Sequence, residues 1–203
     1  GTWLGISRSG RFAAITNLRT TLTKPSVYSR GSLVTDFLTS VCSAEQWITS
    51  VISSLNKFSG FNLLLFDGME LLFLNSLKKA PEILEPGIYA ISNTDLDTDW
   101  PKVNYAKQRL ATHIGNTNLN ELELEALSTL LSRRETYEDS ILPDTGLPRE
   151  IEKVLSAPFI VSGDYGTRTC TGAIVTAFGK VSVMERSYQA GTLEKTVQFN
   201  HQF

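Results

Sequence analysis

FNLLLFDGMELLFLN, residues Phe61 to Asn75, is the stretch that decides the fold. Two apolar runs, FNLLLF and ELLFLN, flank Asp67-Gly68, and an Asp-Gly pair between such runs is a hairpin signal. The runs are nearly continuous rather than alternating. Strands of that kind are buried on both faces, as in a sheet held between layers. Asp67, Gly68 and Glu70 interrupt the apolar character, and no apolar run in the chain reaches the ~18 residues of a membrane-spanning helix.

Working outward, TWLGIS (Thr2 to Ser7) and RFAAITN (Arg11 to Asn17) form a hairpin around the Gly-containing turn RSG. Trp3 is expected to be buried in the first of these strands. From Ser32, the residues Leu33, Val34, Phe37, Leu38 and Val41 share one helical face. Ser43 opens SAEQ, a capping box for a second helix carrying Trp47, Ile48, Val51, Ile52 and Leu55. GIYAIS, after the turn EPG, reads as a further strand. Pro101 suits the first turn of a helix. Asn118 or Asn120 caps a later one, whose Leu127, Leu130 and Leu131 face a core. RETYEDSILPDTGLP is a polar excursion, and REIEKVLS is a short helix. Three strands close the chain: TRTCTGAIVTAF, KVSVMERSY and EKTVQFNHQ, with Gly179 turning between the first two. Strands bracket helices without regular βαβ alternation. The expected class is α+β with largely antiparallel sheets, and two sheets stacked between helical layers would suit the doubly buried strands.

A chain of 203 residues fits a single domain spanning residues 1–203 and buries enough surface to need no metal or disulfide staple. The net charge of -2 and the lack of a basic cluster argue against a nucleic-acid partner. Cys42 and Cys170 lie far apart without metal-ligand spacing, and His113 and His201 are the only histidines, so no metal site is expected. With no signal peptide, the chain reads as a soluble, cytoplasmic or otherwise reducing-compartment protein. It starts at Gly1 and enters a strand almost at once, so a leading segment is expected ahead of it.

No Gly-rich phosphate loop, nucleophile elbow or HExxH motif is present. DLDTD (Asp95 to Asp99) lacks the glycine and terminal glutamate of a calcium loop. Polar groups at strand ends remain: Asn17, Asn93 and Arg168. Asparagine there is ordinarily a turn former. Arg168, in GDYGTRTC, stands where the chain enters a core strand. A buried cation is expensive unless paired, so it either meets Asp164 or awaits an anion. Cys42 and Cys170 read as small buried hydrophobes.

GTWLGIS, SGRFAAITN, RGSLVTDFL, FNLLLFD, GIYAISN with TDWPKV, and DYGTRTCT follow one another in this order. The chain resembles the NRDE-motif family, also called the transport and Golgi organisation protein 2 family, from Gly1 to about Phe199. The resemblance implies a leading Met-Cys segment with an Asn-Arg-Asp-Glu signature. It also implies a four-layer αββα sandwich similar to that of N-terminal-nucleophile hydrolases. By the same resemblance Asn17, Asn93 and Arg168 look like site residues, with Arg168, Tyr165 and Thr167 as ligand-binding positions. An N-terminal cysteine would be the nucleophile in that superfamily, and neither Cys42 nor Cys170 can replace it. Family members are linked to haem mobilisation and to lipid or acyl-CoA handling. The resemblance therefore implies binding or trafficking of a small amphipathic anion, with haem as a possible cargo rather than a cofactor. The alternative is hydrolysis of a non-peptide C–N amide bond.

Overall fold

The apolar pair read from Phe61 to Asn75 forms the centre of an antiparallel meander. Strands β1 (Leu4–Ile6), β2 (Phe12–Asn17), β3 (Phe61–Phe66), β4 (Leu71–Asn75) and β5 (Pro81–Ile83) pair in sequence order. The computed structural model describes residues 1–19, 26–118, 121–163 and 165–203. The chain divides into two units, Gly1–Thr98 and Asp99–Phe203.

In the first unit, helices α1 (Gly31–Thr39) and α2 (Ala44–Val51) cover one face of the meander. Ala13 and Ile15 of β2, Leu63 and Leu65 of β3, and Leu72 and Leu74 of β4 pack there with Val34, Phe37 and Ile48. Strand side chains alternate between faces. Phe73 and Asn62, on the other face, are also buried, so the continuous apolar runs are explained. The capping box at Ser43 is present in both directions with Gln46. A 3-10 turn, Ile52–Lys57, continues α2 and buries Leu55.

Asp67 links the hairpin to the helix layer. Gly68 takes φ 103°, and Asp67 Oδ1 accepts from the Met69 and Glu70 amides at 3.0 and 3.1 Å. Its Oδ2 accepts from the Ala44 amide, at the start of α2, at 2.8 Å. Burial alone would raise the Asp67 pKa. The three amides and the nearby Arg11 guanidinium outweigh it and hold the carboxyl below its usual range.

Three expectations for this unit are corrected. GIYAIS does not form a strand; only an isolated bridge joins Ile91 to Leu96. The Ala90 amide donates to Asp97 Oδ1, and the Asp97 amide donates back to the Ala90 carbonyl, closing a loop. Val41 is fully exposed, because α1 ends before Ser40 turns to extended backbone. Trp3 is 56% exposed and precedes β1 rather than lying within it.

In the second unit, α3 (Pro101–Gly115) has Pro101 at its first turn. Helices α4 (Leu124–Thr129) and α5 (Arg149–Val154) follow. A two-stranded ribbon, β6 (Val161–Ser162) and β7 (Tyr165–Gly166), precedes a three-stranded antiparallel sheet. That sheet is β8 (Thr169–Val175), β9 (Lys180–Gln189) and β10 (Thr192–Gln202), in the order β10-β9-β8. Gly179 turns the first hairpin at φ 79°. The capped helix expected to bury Leu127, Leu130 and Leu131 is shorter. Ser128 is its buried residue and Leu131 is exposed; Asn120 lies outside the described residues. α4 lies directly on Gly172, where a Cβ would stand 2.8 Å from the Ser128 nitrogen and 2.9 Å from the Leu124 carbonyl oxygen. Both sheets are antiparallel and both carry helices, so the protein is α+β. Among the described residues no helix is long and apolar enough to cross a membrane.

Two outcomes check this packing. Gly172→Ala should lose about 1–3 kcal/mol in urea unfolding, since the neighbours it would strike are backbone. Because the folded Asp67 pKa is depressed, its contribution is present above the unfolded value of about 3.9 and is lost as pH falls through the folded value. Asp67→Asn should therefore flatten the acid limb of the stability curve, read as melting temperature from pH 6 down to pH 2.

Candidate functional site

Three polar residues stand in one row across the end of the first sheet. Thr16 pairs with Asn62, and Asn62 pairs with Asn75. Each reaches the loop after residue 91. Thr16 Oγ1 donates to the Ser92 carbonyl at 2.8 Å. Asn62 Nδ2 donates to the Thr94 carbonyl and, at 3.3 Å, to Thr16 Oγ1. Asn75 Nδ2 donates to Asp95 Oδ1 at 3.4 Å, and Lys78 forms an ion pair with the same carboxylate. Burial would raise the Asp95 pKa, but the Lys78 ammonium, the Leu96 amide and Asn75 hold it below its ordinary value.

These bonds hold Asn93 in place. Asn93 Nδ2 donates to the Asn17 carbonyl at 3.0 Å, and the Asn93 carbonyl accepts from the Arg19 amide. The structure therefore brings together two of the sequence-predicted residues, Asn17 and Asn93. Two carboxamide oxygens, Asn17 Oδ1 and Asn62 Oδ1, are buried with no donor among the described residues. Each is an acceptor able to take an N–H or O–H from a bound molecule or water. Asn62 is 1% exposed and was not singled out from the sequence. Its signal was a carboxamide inside an otherwise apolar strand.

Tyr165, Thr167 and Arg168 belong to the second unit, on the segment from β7 into β8. Arg168 is exposed, not buried as its position before a core strand suggested. Its Nη1 donates to the Gln189 Oε1 at 2.6 Å, and its carbonyl accepts from the Tyr188 amide. Asp164, the partner considered from sequence, lies outside the described residues. Tyr165 is exposed. Thr167 Oγ1 accepts from the Ile160 amide at 2.9 Å, and the Thr167 amide donates to the Ile160 carbonyl, so this residue fixes the turn. A cavity of about 740 Å³ lies on the β8–β10 sheet beside α4, and none of these three residues lines it.

Cys42 and Cys170 are free and half-buried. Burial pushes the Cys170 thiol up, only partly offset by Arg186, which disfavours a reactive thiolate. Among the described residues no three His, Cys, Asp or Glu side chains gather in a metal-binding group.

The fold and this strand-end seam define an α+β protein whose antiparallel sheets bear helices and whose polar carboxamides collect at one sheet end. The chain belongs to the Transport and Golgi organisation 2 family, whose model matches residues 1–190. It is 31% identical to a Transport and Golgi organization protein 2 homolog from Bos taurus, over 100% of this chain and 78% of that protein. It is 30% identical to the Mus musculus homolog, over 98% of this chain and 79% of that one. For the Homo sapiens homolog the identity is 32%, over 92% and 72% respectively.

Asn62→Ala removes both donors of the central tether and leaves the Thr94 carbonyl without it. A loss of roughly 1–3 kcal/mol is expected in chemical unfolding. The Arg19 and Asp97 amides should exchange hydrogen faster, and unchanged exchange would show that Asn62 does not hold the loop.

Proposed function

We propose that the protein is an intracellular binding or trafficking protein for a small amphipathic anion, of the haem or acyl-CoA and lipid-like classes. The observation that carries the reading is Arg168. Its guanidinium is exposed, and the partner described for it is the neutral carboxamide of Gln189, not a carboxylate. A planar cation with spare N–H donors favours carboxylate or phosphate groups, and the exposed Tyr165 ring offers apolar contact for a ligand body. The family's name, which refers to transport and Golgi organisation, supports the same direction. The family match runs unbroken across Thr98 and Asp99, which supports reading both units as one family domain. The compartment we assign is the cytoplasm, with association to an organelle surface allowed.

A second reading, hydrolysis of a non-peptide C–N amide bond, is favoured by one observation. Asn93 uses one of its two carboxamide N–H groups on the Asn17 carbonyl, leaving one to aim at a developing oxyanion. Its cysteine nucleophile would come from outside residues 1–203. Sequencing the N-terminus of the native protein separates the two readings, since this hydrolase route needs a bare cysteine there.

Titration calorimetry with haemin and with palmitoyl-CoA tests the first reading. Arg168→Ala should weaken binding roughly ten- to hundredfold, the loss of one charge-assisted hydrogen bond, with thermal stability nearly unchanged. Equal affinity in the variant, or no binding of either molecule, would remove the basis for the proposal.

A further inference from the structure

In the second unit, two guanidinium groups are tied to one turn. The β9–β10 hairpin reverses through Ala190 and Gly191, at φ 47° and 79°, the pair of positive angles that a two-residue turn needs. Arg168 Nη1 donates to Gln189 Oε1, on the strand entering that turn, and Arg134 Nη2 donates to the Gly191 carbonyl at 2.6 Å. Both arginines are exposed, and neither forms an ion pair with a carboxylate among the described residues. Each spends part of its fork on the turn and keeps further N–H donors.

Both side chains are held from the interior. The Arg134 guanidinium lies over the Phe159 ring, 4.9 Å from its centre, and Phe159 meets Tyr188 edge-on with ring centroids 4.8 Å apart. Phe159 and Tyr188 are both buried. The Tyr188 amide donates to the Arg168 carbonyl, and the Phe159 amide donates to the carbonyl of Arg133, next to Arg134. Both arginines are thus seated on one buried aromatic pair. The turn also closes against the β6–β7 ribbon: a Cβ on Gly191 would lie 2.9 Å from Val161 Cγ2 and 3.5 Å from Arg134 Nη1. A side chain there would strike Val161 and crowd the guanidinium, so glycine at 191 serves the arginine as well as the backbone angle.

We propose that Arg134 and Arg168 together bind a diphosphate group, one guanidinium to each phosphate. This site rests on the anion-binding role proposed for Arg168 and adds to it a second arginine and the kind of anion. A planar guanidinium matches phosphate oxygens in pairs. Two of them tied within the stretch from Gln189 to Gly191 suit an anion whose charged centres share one bridging oxygen. A lone phosphate fills one fork, and a flexible dicarboxylate must be ordered before it fills both. Like charges secured to one turn repel, and an anion that touches both relieves the repulsion. A neutral carboxamide places Arg168 and a backbone carbonyl places Arg134, so neither charge is cancelled by its anchor.

Titration calorimetry with inorganic pyrophosphate tests the site, with orthophosphate and glutarate for comparison. Saturable binding of pyrophosphate is expected, about tenfold tighter than either comparison. Arg134→Gln and Arg168→Gln should each weaken it by about tenfold, and the double variant should show no saturation. ADP separates an esterified diphosphate from the free anion, the tighter of the two naming the source. Phenylglyoxal labelling of the unaltered protein needs no variant: pyrophosphate should protect Arg134 and Arg168 together and leave the exposed Arg8 reactive. Absence of pyrophosphate saturation, undiminished affinity in a folded Arg134→Gln protein, labelling of Arg134 that pyrophosphate does not slow, or equal binding of orthophosphate or glutarate would each overturn the clamp. The reading of Arg168 would still stand if Arg168→Ala weakened haemin or palmitoyl-CoA, so the two fail separately.

Discussion

The first unit depends on a row of side-chain donors crossing three strands. Thr16, Asn62 and Asn75 are neighbours by strand register, and they reach Ser92, Thr94 and Asp95 in turn. A loop laid along a sheet end must find partners for its carbonyls, since buried backbone acceptors left without donors are costly. The strands cannot supply them, because their own amides serve the ladder. Side chains projecting from the ladder do so instead, and a carboxamide at 1% exposure in β3 is tolerated because both of its N–H groups are used. Asn93 is placed by this row, and its contact with Asn17 follows from the placement.

The same economy of polar groups governs the hairpin beneath the helices. One carboxylate, Asp67, closes the β3–β4 turn through two amides and meets the first amide of α2 with its other oxygen. The helix macrodipole and the orphan amides at a helix start both favour an anion there. Sheet and helix layer are therefore joined by directional bonds as well as by apolar packing of Leu63, Leu65 and Ile48.

What could be read from the sequence was mostly local. Asp67-Gly68 and the Ser43–Gln46 capping box are signals contained in four residues or fewer, and both appear as expected. The three late strands were legible because their runs are long and Gly179 sits at the required positive φ. Register was not legible. Nothing local says that Asn62 stands beside Thr16, 46 residues away, and so the polar row was missed. GIYAIS has strand composition, yet the Asp97 side chain competes for the Ala90 amide and turns the chain back. Trp3 failed for a related reason: its type favours burial, but nothing local shows that its ring points outward. Of the candidate site, Asn17 and Asn93 stood out in the sequence as polar groups at strand ends, and the family resemblance, not the pattern of residues, gave them a role as site residues.

The last strand of the second sheet is eleven residues long and has a partner on one side, β9. It carries no proline, and its Val197 and Phe199 are open to solvent. Such a border is an invitation for backbone of any origin to extend the ladder. A strand added on that side would pair with β10, while β8 forms the opposite edge of the sheet. The amides and carbonyls of β10 that face away from β9 are the ones such a strand would use.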